Sequence, residues 1–350
     1  MTILELSSFL TDKKLFISMM RALSYKDIRY FYDSVGCFLQ VFKFCLGNTK
    51  INKFSDNYKI AKRGLKIHRK YAVITIKTKY WKPGTNYIYE IVNALKGKIQ
   101  DGDIIVLSEK ALSTAMGNLV DESKVKPGFL AKFLARFWNR IIWGYMLGIV
   151  CRLKPETIIK LRNYPVRFGA AHKQLALLYA GFLQALRHYS EGGIDVSNIP
   201  YTYACLPLRS SMDVARRIFE AITRITGKRV TVMIVDGDST FSFRNIHLAP
   251  RKVPVKGLLH FGGVLTFIIG RFFKLKKTAT PVAIVGSPLS IDEALEIAEL
   301  ADKSRGHGAG MTVWDMAKRF KVGLTQVTWE MLSKINHRPI TIIRLVTRPR

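Results

Sequence analysis

The chain has 350 residues, 48% of them hydrophobic and 23% charged, which excludes a disordered tail protein and a disulfide-stapled miniprotein. Its 56 Lys and Arg against 25 Asp and Glu give a net charge of +31, so the surface attracts polyanions, be they nucleic acid, anionic lipid or phosphorylated small molecules. Cys37, Cys45, Cys151 and Cys205 form no CxxC pair, which argues against a zinc ribbon or a secreted disulfide framework and points to a reducing compartment. The apolar stretches 141–151 and 258–273 fall short of the ~20 residues a membrane helix needs. The first ten residues lack the basic start and small-residue cleavage site of a signal peptide, so the expected location is cytoplasmic.

Residues 1–56 mix apolar and basic side chains in a pattern compatible with two amphipathic helices, a helical N-terminal extension. The run from Lys59 to Lys70 is basic enough for a phosphate-binding patch or a solvated linker. From Tyr71 the pattern changes. Alternating β-branched residues predict a strand over Tyr71–Thr78, Pro83-Gly84 a turn, and helical spacing a helix over Tyr87–Leu95. Asp101-Gly102-Asp103 turns into an apolar strand over Ile104–Leu107, followed by a loop and helix within 108–120. Ser210 to Asp213 reads as a capping box before a helix whose apolar positions are Val214, Ile218, Ile222 and Ile225, stopped at Gly227. A buried strand spans Val230–Val235, Ser290 to Glu293 opens another capped helix, Gly306 to Gly310 is a glycine cluster, and Ile340–Val346 is a closing strand. The alternation predicts an α+β (mixed α/β) fold for residues 57–350.

There is no GxxxxGK[ST], no GxGxxG after a strand, no GxSxG and no HExxH, so the commonest nucleotide-loop, hydrolase and zincin readings lose support. Two acidic, glycine-containing loops remain. Asp236 stands where the strand Val230–Val235 is expected to end and is followed by Gly237, Asp238, Ser239 and Thr240, either an Asp-Gly turn or a ligand position. Glu191-Gly-Gly-Ile-Asp195-Val-Ser-Asn198 offers three oxygen-bearing side chains beside paired glycines. Together the loops make a plausible Mg²⁺ or Mn²⁺ site for a nucleotide. His172, His188, His247 and His307 do not fall at metal-ligand spacing.

Taken in order, Pro83-Gly84, Asp101 to Val106, Lys110 to Gly117, Gly193 to Asn198, Leu206-Pro207 and Thr226 to Asp236 resemble the coenzyme F420 gamma-glutamyl ligase family. The resemblance runs from about Tyr71 to Arg244 and leaves residues 1–56 outside. It implies an unusual α+β fold, a homodimer, and a GTP- and divalent-metal-dependent ligase that joins L-glutamate to the glutamate-free precursor of coenzyme F420. Carried over, it makes Asp195 and Asp236 metal ligands and Asn198 a nucleotide contact; Asp238 or Thr240 would supply the oxygen lost at Gly237, and Lys110 and Ser113 are further candidates for the nucleotide. The chain departs from the family pattern at Thr114 and Met116, where a lysine and a carboxylate are expected, and at Gly237, where a threonine is. Lys110, four residues before Thr114, is the nearest replacement cation. No catalytic acid or base is assigned.

The reading is therefore amide formation through an acyl phosphate, with anionic small-molecule substrates as partners. The alternative is a diverged relative that binds nucleic acid through its basic N-terminal part and the Arg271 to Lys277 run, which also reads as a helix end complemented by cations. A third option is attachment to anionic lipid through residues 1–50.

Overall fold

The computed structural model describes residues 70–346, so the extension expected at 1–56 and the basic run up to residue 69 lie outside the described residues. The alternating segment forms β1 (Lys70–Thr78), and Asn86 caps α1 (Tyr87–Leu95) through a hydrogen bond from the Tyr89 N–H. The apolar run gives β2 (Ile104–Ser108), which passes directly into α2 (Glu109–Ala115). β3 (Leu119–Asp121) and a 3₁₀ turn (Glu122–Lys124) then lead into a helical layer that sequence periodicity did not single out. That layer comprises α3 (Phe129–Phe133), continued by a π-helical stretch (Leu134–Leu147), then α4 (Pro155–Arg162), α5 (Val166–Tyr179) and α6 (Phe182–Ala185).

β4 (Tyr203–Cys205) pairs with β3, and α7 (Ser211–Thr226) ends at Gly227 in the left-handed conformation, φ 69°, as the glycine stop requires. The expected capping box at Ser210 is absent, because the Ser210 side chain makes no cap bond; Ser290 and Glu293 do form one, at the start of the helix Ile291–Arg305. Chain order continues with β5 (Thr231–Phe243), β6 (Ile246–Leu248), β7 (Leu258–Leu259), α8 (Gly263–Phe272) and β8 (Lys276–Val285). The last elements are α9 (Ile291–Arg305), α10 (Val313–Phe320), α11 (Trp329–Ser333) and β9 (His337–Val346).

The main sheet runs β1-β9-β2-β5-β6-β7, with β8 also paired to β5. β2 and β5 are parallel, whereas β9 lies antiparallel between β1 and β2, so the chain's last described strand sits inside the sheet rather than at its edge. Alternate residues of β2 point to opposite faces, as strand geometry demands. Ile105 and Leu107 pack with Ile91 and Leu95 of α1 and Ile218 and Ile222 of α7, while Ile104 and Val106 meet Ile297 and Ala301 of α9. The fold is thus a mixed sheet between helices, and α3 to α6 with α8 build a second core around Trp143, Leu175 and Leu186.

The strand expected to stop at Asp236 does not stop there. β5 crosses the position with a bulge: Asp236 pairs with Thr280 and Ser239 with Ala279, so Gly237 and Asp238 are extra residues against β8. The Asp-Gly dipeptide, turn chemistry in isolation, is here the bulge of a long strand.

Candidate functional site

Three structural junctions meet around the bulge. The β2-to-α2 transition presents Glu109 and Lys110, the loop after α6 presents Gly193 and Asp195, and β5 presents Asp236 and Asp238. Lys110 Nζ lies 2.6 Å from Asp195 Oδ2 and donates also to Ser197 Oγ at 3.0 Å. Arg251, after β6, binds Glu109 through one terminal nitrogen and lies with Nε 3.4 Å from Asp236 Oδ2. Arg187 Nη1 stands 3.4 Å from Asp238 Oδ2. Gly193 has φ +86°, and a Cβ there would sit 2.7 Å from Arg251 Nε, so the glycine is what lets this loop close over the guanidinium.

Four carboxylates and three cations therefore share one locality. Burial drives the Glu109 carboxyl up, aided by Asp236 and opposed by Arg251. Burial and the neighbouring Asp236 push Asp238 up to about 7, against the pull of Arg187. Burial would raise Asp195, but Lys110 overcomes it and holds the carboxyl below its ordinary value. The same pair keeps the Lys110 ammonium above its ordinary value although burial opposes it.

The other residues singled out in the sequence have structural partners. Ser113 is buried, its hydroxyl donating to the Leu206 carbonyl and accepting from Asn118. Asn198 spends its side chain on the glycine cluster, accepting from the Ala309 N–H at 2.6 Å and donating to the carbonyls of His307 and Gly310. Thr114 bonds back to the Lys110 carbonyl within α2, Met116 is exposed at that helix's end, and Thr240 is buried against Thr280. Glu109, Arg187 and Arg251 escaped the sequence reading. Glu109 stood one residue from Lys110 at a strand-to-helix junction, the signal that would have found it; the two arginines carried none.

Beside the Asp195 loop opens a cavity of about 330 Å³ whose walls include Tyr164, Arg167, Phe168, Tyr189, Tyr203 and Trp314. Its floor is a buried charge chain. Glu122 Oε1 lies 2.6 Å from His172 Nδ1, His172 Nε2 lies 3.0 Å from Glu191 Oε2, and Glu191 Oε1 lies 2.6 Å from Lys173 Nζ. Burial disfavours the imidazolium, but Glu122 and Glu191 outweigh it and raise His172 to about 10. Burial would likewise raise Glu191, yet Lys173 and His172 hold it well below the usual carboxylate range. His172, which fits no metal spacing, is a structural cation in this chain.

The sequence profile of the F420-0:Gamma-glutamyl ligase family matches residues 75–255, from the second half of β1 to just past Arg251. An uncharacterised protein of Methanocaldococcus jannaschii is 36% identical over 282 residues, 77% of this chain and 95% of that protein. The coenzyme F420:L-glutamate ligase of the same organism is 28% identical over 173 residues, covering 49% of this chain and 62% of the ligase. The profile match takes in every carboxylate and cation of the bulge cluster, and the chain belongs to the F420-0:gamma-glutamyl ligase family.

Proposed function

We propose that the protein is an acid–amino-acid ligase that forms an amide between a carboxylate of the coenzyme F420 precursor and L-glutamate at the expense of GTP. The single observation that supports it best is the convergence of Asp195, Asp236 and Asp238 with Lys110, Arg187 and Arg251 at the β5 bulge. Phosphoryl transfer needs charge neutralisation and positioning above all, and such a cluster offers both.

Carboxylate oxygens are the donors a hard divalent cation such as Mg²⁺ or Mn²⁺ takes, but among the described residues no group of three or more His, Cys, Asp or Glu is arranged to hold a metal ion, so binding requires these carboxylates to turn from their Lys and Arg partners. Asp236 and Asp238 are oxygen donors two residues apart, and Asp238 is pushed up chiefly by burial and next by the Asp236 charge, both of which a bound cation would offset. Asp195, Asp236 and Asp238 would hold the ion, which when bound would neutralise phosphate oxygens during transfer. Lys110 provides an ammonium at the mouth of the same cluster for phosphate oxygens, and Arg251 fixes Glu109 and Asp236 in place. Asn198 and Ser113 act in this reading as positioning residues, Asn198 by ordering the Gly306 to Gly310 loop and Ser113 by seating α2 against Leu206.

In the reaction, the acceptor carboxylate attacks the γ-phosphorus and GDP departs with the electron pair of the broken bond. The glutamate amine then attacks the acyl carbon, expelling phosphate and losing a proton as the amide forms. In this reading the acceptor sits in the cavity beside Asp195, whose aromatic walls can pack on an organic substrate next to the carboxylate cluster. The protein would act as a homodimer. Phosphate release that requires GTP, Mn²⁺, L-glutamate and acceptor together, and disappears in Asp236→Asn, is the expected result; phosphate release unchanged in that variant would refute the assignment.

A further inference from the structure

The helical layer carries a surface that the ligase reading does not use. Between Lys124 and Pro155 the sequence has no Asp or Glu, and none occurs between Arg251 and Ile291. These two stretches come together at one place. Arg271, at the end of α8, donates from Nε to the Cys151 carbonyl at 2.9 Å and from a terminal nitrogen to the Arg152 carbonyl. Two loop tips are thereby fixed side by side, each turning through a left-handed residue, Arg152 with φ 51° and Lys274 with φ 52°.

Both tips expose apolar side chains ringed by cations. Ile149 is 59% exposed and Phe272 44%, with Met146 and Val150 exposed beside Ile149. Arg152 and Lys154 flank the first tip; Lys274, Lys276 and Lys277 flank the second, all on the surface. A solvated basic face has no use for aliphatic groups at its apex, and isolated apolar residues at a surface are ordinary only when scattered. Here Arg271 holds two apolar tips side by side, and the charged residues of the tips themselves are all cationic, Glu156 in the first turn of α4 being the nearest acid in sequence.

We infer that this paired tip is a docking surface for an anionic lipid bilayer. Ile149, Val150, Met146 and Phe272 enter the boundary between headgroups and acyl chains, while the lysines and Arg152 keep their charged ends at the lipid phosphates. Attachment is peripheral: among the described residues no helix is long and apolar enough to cross a membrane. Charge complementarity selects an anionic surface, and the apolar apex, aliphatic in Met146, Ile149 and Val150, selects lipid, since a phosphate backbone offers such groups no apolar surface to bury against. Arg271 itself is committed to the two carbonyls, so it braces the tips rather than contacting the partner.

The test is co-sedimentation of the full chain with vesicles of phosphatidylcholine alone and with vesicles about one-third phosphatidylglycerol, at low and high salt. The inference expects binding to the anionic vesicles only, weakened by salt. It expects about fivefold loss for each of Lys274→Gln, Lys276→Gln and Lys277→Gln. The combined Ile149→Ser, Val150→Ser, Phe272→Ser variant should lose about tenfold or more, with an unchanged circular dichroism spectrum. Equal binding to neutral vesicles, no binding by the parent chain, or full binding by both sets of variants would overturn it, the last placing any lipid contact elsewhere, such as residues 1–69. So would a parent chain whose tip variants lose affinity for a DNA or RNA oligonucleotide and keep vesicle binding, or become monomeric from a dimer without any change at lipid. None of these readouts depends on GTP turnover, so the ligase reading stands or falls separately.

Discussion

Replacing Lys173 by Met tests whether the charge chain under the cavity is a structural anchor. Lys173 is 0% exposed, and its Nζ donates to the Ala185 and Arg187 carbonyls as well as to Glu191. Methionine keeps much of the stem and deletes the charge. Glu191, 1% exposed, is then left with His172 as its remaining cation, and two buried carbonyls lose a donor. Breaking a buried pair from one side costs about 3–5 kcal/mol, because the surviving charge stays desolvated. The two orphaned carbonyls add a further ~1 kcal/mol or more. Guanidinium unfolding of the full chain at neutral pH should show a midpoint lowered accordingly. The double variant Lys173→Met, Glu191→Gln should regain a large part of the loss, since the unpaired charge is gone. A single variant that loses less than ~1 kcal/mol, the range of an exposed ion pair, would refute the anchor.

The same chain sets a pH dependence. His172 is raised to about 10 from its ordinary 6.5, so its contribution to stability is complete below about 6.5 and is lost as pH rises through 10. Unfolding free energy should fall across that window, and Glu122→Gln should flatten the slope. Gly193→Ala forces a Cβ to 2.7 Å from Arg251 Nε at φ +86°, so turnover should drop by about tenfold or more while the fold persists, checked by activity beside circular dichroism. Lys110→Met should weaken nucleotide binding by about tenfold or more, as loss of a charge-assisted contact does, measured by titration calorimetry.

Where local periodicity dominates, the sequence was legible. β1 and α1 fall within a residue of where alternation and helical spacing place them, and Gly227 stops α7 through the left-handed geometry only glycine adopts freely. Asp195 and Asp236 were visible as polar loops in apolar surroundings, and the structure brings their loops to one cluster. The β5 bulge was not legible, because two extra residues break the alternation and leave the signature of a turn. Nor was the central place of β9: its apolar run fits an edge or a middle strand equally, and its pairing with β1 and β2 is decided by contacts more than 200 residues apart in sequence. Arg187 and Arg251 illustrate the same limit at the site. Their partners are set by tertiary proximity, and among 56 cations nothing local distinguishes them. The Ser210 cap failed for a subtler reason: a serine three residues before a carboxylate permits a capping box, and Ser210 turns its backbone out of the arrangement that Ser290 adopts.

The central claim is tested most directly by incubating the protein with labelled L-glutamate, GTP, Mn²⁺ and the glutamate-free coenzyme F420 precursor, and weighing the product by mass spectrometry. The account predicts a precursor heavier by one or more glutamyl groups, formed only when GTP is present and absent with Asp195→Asn or Asp236→Asn. A folded parent protein that incorporates no glutamate, or variants that incorporate it as fast as the parent, would contradict it.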